Sequence, residues 1–189
     1  MTRTKSQLLK TLITLAVAIA AVLLFRAAVA TVCCIEGKAL EPYFLAGDRV
    51  LVNRWSYGLR VGGNGLLHYN RLWRQPVERG DIVVVNDPSD SLQADISDRP
   101  VLLLRCRAVP GDKTKQADGQ LTDIPGRYSC AEKDYYLMEP LTLQKKGTAE
   151  RILVPEDHII GRAALIIFSH DPEQPLWEGW RSDRFFVLP

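Results

Sequence analysis

The stretch Arg79-Gly80-Asp81-Ile82-Val83-Val84-Val85 carries the pattern of the whole chain: a Gly-Asp turn, then a short run of branched apolar residues. Glycine enters positive φ without steric cost, and an aspartate beside it accepts backbone hydrogen bonds in tight turns. A short run rich in branched residues favours a strand. Outward from this stretch the theme recurs. Ala46-Gly47-Asp48 precedes the run Arg49–Asn53, Pro110-Gly111-Asp112 follows Val101–Cys106, and Asp118-Gly119-Gln120 marks a further turn. With Asp81–Val85, Tyr135–Met138 and Ala163–Phe168 there are five β-type runs. Past the amino-terminal segment no helical periodicity is sustained, so the body is expected to be mostly β, an antiparallel sheet joined by turns. Gly58 to Glu78 and Asn86 to Pro100 read as long irregular loops, and no internal repeat is visible.

The 189 residues and 21.2 kDa suit one domain behind a leading segment, and 47% apolar with 24% charged residues excludes a disordered or collagen-like chain. The net charge of +2 is unevenly spread. Residues 1–30 hold Arg3, Lys5, Lys10 and Arg26 and no acid, leaving 20 basic against 22 acidic residues in the body. Such a body lacks the concentrated positive charge that nucleic acid requires, so no nucleic-acid partner is expected.

Thr11 to Phe25 is uncharged and nearly all apolar, and apolar character resumes from Ala27 to Ile35. Fifteen residues between Lys10 and Arg26 fall short of the ~20 that span a bilayer. Continuing the helix to Val32 reaches that length, with Arg26 snorkelling toward the interface. Basic residues ahead of the run place the amino terminus in the cytoplasm. The expected organisation is a cytoplasmic tail at 1–10, a transmembrane anchor at 11–32 and an extracytoplasmic domain at 33–189, as in a bacterial inner membrane. A cleavable signal peptide is the rival, since Ala28-Val29-Ala30 has the small-x-small form of a cleavage site. Arg26 so near that site speaks against it, and Val32 before Cys33 speaks against a lipoprotein start. Four cysteines, Cys33, Cys34, Cys106 and Cys130, allow three pairings, with a Cys106–Cys130 bridge left open. Their spacing fits no zinc site, and no metal or other cofactor is expected. Trp55, Trp73, Trp177 and Trp180 suit either core packing or a membrane–water boundary.

Four segments, in order, resemble the type I signal peptidase family, membrane-bound Ser/Lys endopeptidases that remove signal peptides. Ala39-Leu40-Glu41-Pro42-Tyr43-Phe44 followed by Gly47-Asp48-Arg49-Val50-Leu51-Val52-Asn53 is similar to the family's Ser-Met-x-Pro-Thr-Leu and Gly-Asp segment, with an echo through Arg54–Arg60. Arg79–Val85 is similar to its Arg-Gly-Asp-Ile-Val strand, and Arg105–Asp112 to its Lys-Arg-x-x-Gly-x-Pro-Gly-Asp segment. Val154-Pro155-Glu156-Asp157-His158-Ile159-Ile160-Gly161-Arg162-Ala163 resembles the closing strand region. The resemblance implies one amino-terminal anchor, an extracytoplasmic β domain, and a Ser hydroxyl activated by a neutral Lys.

That chemistry needs a desolvated amine within reach of a hydroxyl, and donors for the oxyanion. The matching positions do not supply it. The nucleophile position holds Ala39, the base position Leu104 and the oxyanion position Gly37, with Glu36 beside it. Where the family's Gly-Asp-Asn-x-x-x-Ser-x-Asp-Ser segment should follow Met138, the chain reads Glu139-Pro140-Leu141-Thr142. An engineered Ser→Ala trap would not also remove the base and the later segment, so the loss reads as natural. Lys38 has no serine or threonine beside it between Val32 and Trp55, Ser56 falls in a scaffold loop, and His68, His158 and His170 have no Ser at the nucleophile position to serve.

The resemblance therefore leads to a membrane-anchored relative without peptidase activity, working in or around the processing of exported proteins. Its partners would be membrane lipid together with signal-peptide segments of precursors or an active peptidase. Leu40, Glu41 and Pro42 are the residues expected to hold an extended peptide, since strand pairing along an edge needs no catalytic group. Two alternatives stand beside it: an active serine endopeptidase with an unrecognised arrangement, and an envelope assembly protein that keeps only the fold.

Overall fold

The computed structural model describes residues 2–37, 40–62, 69–90, 95–115, 121–141, 151–175 and 177–188. A 28-residue helix, α1 (Thr2–Val29), leads directly into strand β1 (Ala30–Cys34). The remaining strands are β2 (Asp48–Asn53), β3 (Leu59–Val61), β4 (Asn70–Leu72), β5 (Ile82–Asn86), β6 (Val101–Ala108), β7 (Lys113–Lys115), β8 (Leu121–Asp123), β9 (Tyr135–Pro140), β10 (Ile152–Pro155) and β11 (Ile159–Ser169). Seven of them form one sheet in the order β1-β2-β11-β5-β6-β9-β10, every neighbouring pair antiparallel. The expected mostly β class holds, and all five runs read from the sequence lie in this sheet.

Alternation along the strands divides the interior in two, because successive side chains leave a strand on opposite faces. One face buries Ile35, Phe44, Val50, Val52, Ile82, Val84, Leu103, Leu141, Ala163 and Ile166. The other buries Tyr57, Val77, Val83, Val85, Leu104, Cys106, Tyr136, Met138, Val154 and Ile159. The run Ile82–Val85 lies at the middle of the sheet and feeds both clusters, which is why it is apolar throughout. β11 spans eleven residues and pairs with β2 over one stretch and β5 over another, so it joins the two halves of the sheet.

Two expectations are corrected and one open question is answered. The leading helix does not continue to Val32: it ends at Val29, and Ala30–Cys34 pairs with Asn53–Arg49 of β2. Thr31 and Val32 are β-branched, and a ladder beside β2 satisfies their backbone better than a further helical turn. The N–H of Arg54 closes the junction on the Val29 carbonyl at 3.1 Å. The span Gly58–Glu78 is not wholly irregular, since β3 and β4 form a hairpin. Arg71 pins it from a buried position, donating to the carbonyls of Tyr57, Glu156 and Ile159. The cysteines Cys33, Cys34, Cys106 and Cys130 are all free thiols, so the Cys106–Cys130 bridge is not formed. Among the described residues no helix is long and apolar enough to cross a membrane. The apolar run that opens at Thr11 continues through residues 23–28, whose side chains lie outside the described set.

Candidate functional site

The three Gly-Asp pairs share one geometry. Gly47, Gly80 and Gly111 have φ of +90°, +93° and +92°. In each case the following aspartate N–H bonds the carbonyl three residues back, at Leu45, Glu78 and Val109. Glycine at the third position with positive φ is what a type II turn requires. Each carboxylate then accepts the N–H of that same residue, at 2.8 Å for Leu45, 3.2 Å for Glu78 and 2.9 Å for Val109. The same carboxylates also reach distant elements. Asp48 takes Arg184 at 2.7 Å, Asp81 takes Tyr57 Oη at 2.8 Å and Arg162 at 3.2 Å, and Asp112 takes Arg79. Burial pushes the Asp48 carboxyl up, but hydrogen bonds from Arg184, Ser169 and the Leu45 N–H outweigh it and hold it below the usual range. These motifs are scaffold.

The first Gly-Asp turn positions the segment 35–46. Ile35 N–H bonds the Asp48 carbonyl, and Gly47 N–H returns to the Ile35 carbonyl, both at 2.9 Å. Of the residues between them, Leu40 and Phe44 pack with Ile35 into the first cluster. Gly37 is exposed at φ +73°, a conformation that disfavours a residue bearing a side chain. Lys38 and Ala39 lie outside the described residues. Leu40 packs against the first cluster and its carbonyl accepts from Phe44, which is fully buried. Glu41 faces a cleft of about 210 Å³ that it lines with Leu45, Ala46, Asp171, Pro172, Glu173 and Arg181, and Pro42 is exposed. The three residues expected to hold peptide thus have three different surroundings: core, cleft and solvent.

Across the sheet, β6 sorts its side chains by parity. Leu104 is 2% exposed and belongs to the second cluster with Val83, Val85 and Met138. Leu40 belongs with the first. The structure does not bring Leu104 and the segment 35–46 onto one face. The residues of β6 that do look toward that segment are Leu103, in the first cluster, and Arg105, whose guanidinium lies 4.8 Å over the ring of Tyr43. Sequence reasoning missed Arg105. The alternation of apolar Leu102, Leu104 and Cys106 against Leu103, Arg105 and Arg107 was visible, but which parity meets the segment was not. Neither candidate suits a general base: leucine has no lone pair to offer, and a guanidinium does not give up its proton in proteins.

The other candidates take structural places. Ser56 sits half-buried in the turn after β2. His68 lies outside the described residues. His158 is buried, its Nδ1 donating to Asp157 Oδ1 at 3.1 Å while Arg99 Nη1 donates to its Nε2 at 3.2 Å, so no hydroxyl partners that ring. His170 lies 4.9 Å from Trp180, edge to face. Cys106 is fully buried, and that burial, with Asp81 and Asp112 nearby, pushes its thiol up to about 11, away from nucleophilic use. Among the described residues no group of three or more His, Cys, Asp or Glu is placed to hold a metal.

A family model described as signal peptidase, peptidase S26, matches residues 8–135. The chain belongs to the signal peptidase S26 family. The match takes in α1 from residue 8 onward, the segment 35–46, all three Gly-Asp turns and β6, and stops short of Val154–Ala163. A search of the curated proteins finds no match. In this member of the signal peptidase family the shared Gly-Asp motifs are the turns that hold the sheet together, and they are intact.

Proposed function

We propose that this member of the signal peptidase family is an inactive, membrane-anchored relative that holds signal-peptide segments of exported proteins without cleaving them. One observation carries the reading: on the sheet face that Ile35, Leu40 and Phe44 cover, the residues of β6 are Leu103 and Arg105, a hydrocarbon and a guanidinium. A serine endopeptidase of this kind needs a hydroxyl and a neutral amine there. Loss of such a nucleophile costs ~10⁶ in turnover, leaving little beyond binding. The anchor in this reading is α1, basic at its start and exposed from Lys10 to Val22, with the sheet domain following outside the membrane.

The test is cleavage of a labelled precursor by the full-length chain in lipid, run beside a binding measurement with the signal peptide alone. The expected result is no cleavage and saturable binding. Cleavage that persists after every other peptidase is removed overturns the inactive reading. A folded chain with no affinity for the peptide overturns the holding role and leaves a protein that keeps the fold for assembly.

A further inference from the structure

Two tryptophans stack on the outside of the sheet domain. The rings of Trp55 and Trp73 lie 5.6 Å apart and 16° from parallel, with Trp55 43% and Trp73 71% exposed. Trp55 sits in the turn after β2 and Trp73 in the turn after β4. Gly58 lets the two turns meet, since a Cβ there would fall 2.5 Å from the Leu72 carbonyl oxygen and 2.8 Å from that of Trp73. Trp73 holds φ +50°, a conformation that disfavours so bulky a residue. Leu72, beside it, is exposed as well. Water solvates such a surface poorly, and an exposed apolar cluster of this kind marks an interaction site.

The place of the pair in the fold says what covers it. The N–H of Arg54 is bonded to the carbonyl of Val29, the last residue of α1. Four residues of helix, about 6 Å, separate Val29 from Phe25, where the uncharged run closes. The turn that carries Trp55 therefore begins within a headgroup layer's thickness of that run. Indole rings favour this layer, being apolar in body and polar at the N–H. Arg54 precedes Trp55, and Arg60 of β3 is near it: burial, Arg71 and Arg54 hold the Arg60 guanidinium below its ordinary value. Arg60 Nη1 donates to a neutral acceptor, Asn86 Oδ1, at 3.3 Å. The neighbouring acids are engaged within the domain, Asp81 with Tyr57 and Arg162, and Glu156 with Arg127 and Arg74. Aromatic and basic groups side by side suit anionic headgroups. We infer that the Trp55–Trp73 stack, with Arg54 and Arg60, rests on the anionic phospholipid headgroups of the bilayer that holds α1. The inference rests on the reading of α1 as the anchor and adds a second contact, made by the sheet domain itself. It also fixes which end of β2 faces the membrane. Trp180 belongs to the other end, about 17 Å along the strand, since it bridges His170, which follows Ser169 opposite Asp48.

The experiment reconstitutes the full-length chain in vesicles of phosphatidylglycerol and phosphatidylcholine whose lipid carries bromine near the top of the acyl chains. Tryptophan fluorescence reads the contact, and flotation of the vesicles reports the anchor separately. The expected result is partial quenching relative to unbrominated vesicles, retained in Trp177→Phe/Trp180→Phe and mostly lost in Trp55→Phe/Trp73→Phe. Quenching should weaken in vesicles of phosphatidylcholine alone, where the attraction between charges is gone. A chain that floats with the vesicles and shows no quenching overturns the inference and leaves the anchor standing. Quenching that survives in Trp55→Phe/Trp73→Phe does the same. Equal quenching without phosphatidylglycerol overturns the choice of anionic headgroups, and a chain that does not float overturns anchor and inference together. The Trp177→Phe/Trp180→Phe chain emits from Trp55 and Trp73 alone, so it reads the contact with no change at the stack.

Discussion

Single residues explain why the Gly-Asp pairs recur. Gly47 and Gly80 adopt nearly the same φ, +90° and +93°, yet their surroundings differ. A Cβ on Gly47 would fall 1.8 Å from the His170 carbonyl oxygen, whereas one on Gly80 meets nothing within 4 Å. Left-handed backbone costs a side-chain-bearing residue roughly 1–2 kcal/mol by itself. Gly80→Ala should lose about that much in urea unfolding, and Gly47→Ala distinctly more, because β2 and β11 must part to admit the methyl. Equal losses would mean that the close approach at His170 relaxes freely. The turn glycines were legible in the sequence as turns. The collision at Gly47 was not, since His170 lies far along the chain.

At the level of the strand, parity governs what β6 can do. The sequence marks Leu104 as the residue where the family places its base, and the fold directs that side chain into the second cluster beside Met138 and Val154. An amine there would be buried among hydrocarbon, at a cost of several kcal/mol. A Leu104→Lys chain, alone or with Ala39→Ser, is therefore expected to melt well below the unaltered protein and to cleave no precursor. Cleavage gained by the double variant would show that β6 turns its other face to the segment 35–46. Long apolar runs such as Ile82–Val85 were readable because burial on both faces leaves no polar position. The hairpin of β3 and β4 escaped notice for the opposite reason. Each strand has three residues, and the one that is buried in β4 is Arg71, an apparent loop residue whose role emerges only beside the Glu156 and Ile159 carbonyls.

Across the whole molecule, buried carboxylates tie remote parts of the chain together. Asp48 is fully buried against Arg184, and Asp157 lies against Lys133 at 2.6 Å and His158 at 3.1 Å. For Asp157 burial acts upward, but the hydrogen bonds from His158 and Lys133 outweigh it and hold the carboxyl well below the usual range. A group depressed in the folded state stabilises above its unfolded pKa, about 4 for aspartate, and that contribution drains away as pH falls toward the folded value. Thermal melts should therefore decline steeply below about pH 4. Asp157→Asn should lower the plateau near neutrality and flatten the acid limb. Parallel curves for the two proteins would remove Asp157 from the account. Of the site, the sequence revealed the missing chemistry at Ala39 and Leu104, and it concealed Arg105, because a charge on a strand says nothing about which face it meets.

What the sequence determined by itself was composition and rhythm: an apolar leading segment, five β-type runs, three Gly-Asp turns and the absence of a serine and a lysine where the family carries them. These depend on residue type and on spacing within a few positions, which local steric and hydrophobic preferences translate directly into structure. Only the tertiary structure decided that Ala30–Cys34 leaves the helix to pair with β2, that Leu104 and Leu40 occupy opposite faces, and that Glu139 goes to Arg107 and leaves Arg105 without an acid. Those outcomes arise from contacts between segments far apart in the chain, where register and parity, set by the whole sheet, choose among side chains that are equivalent in the sequence.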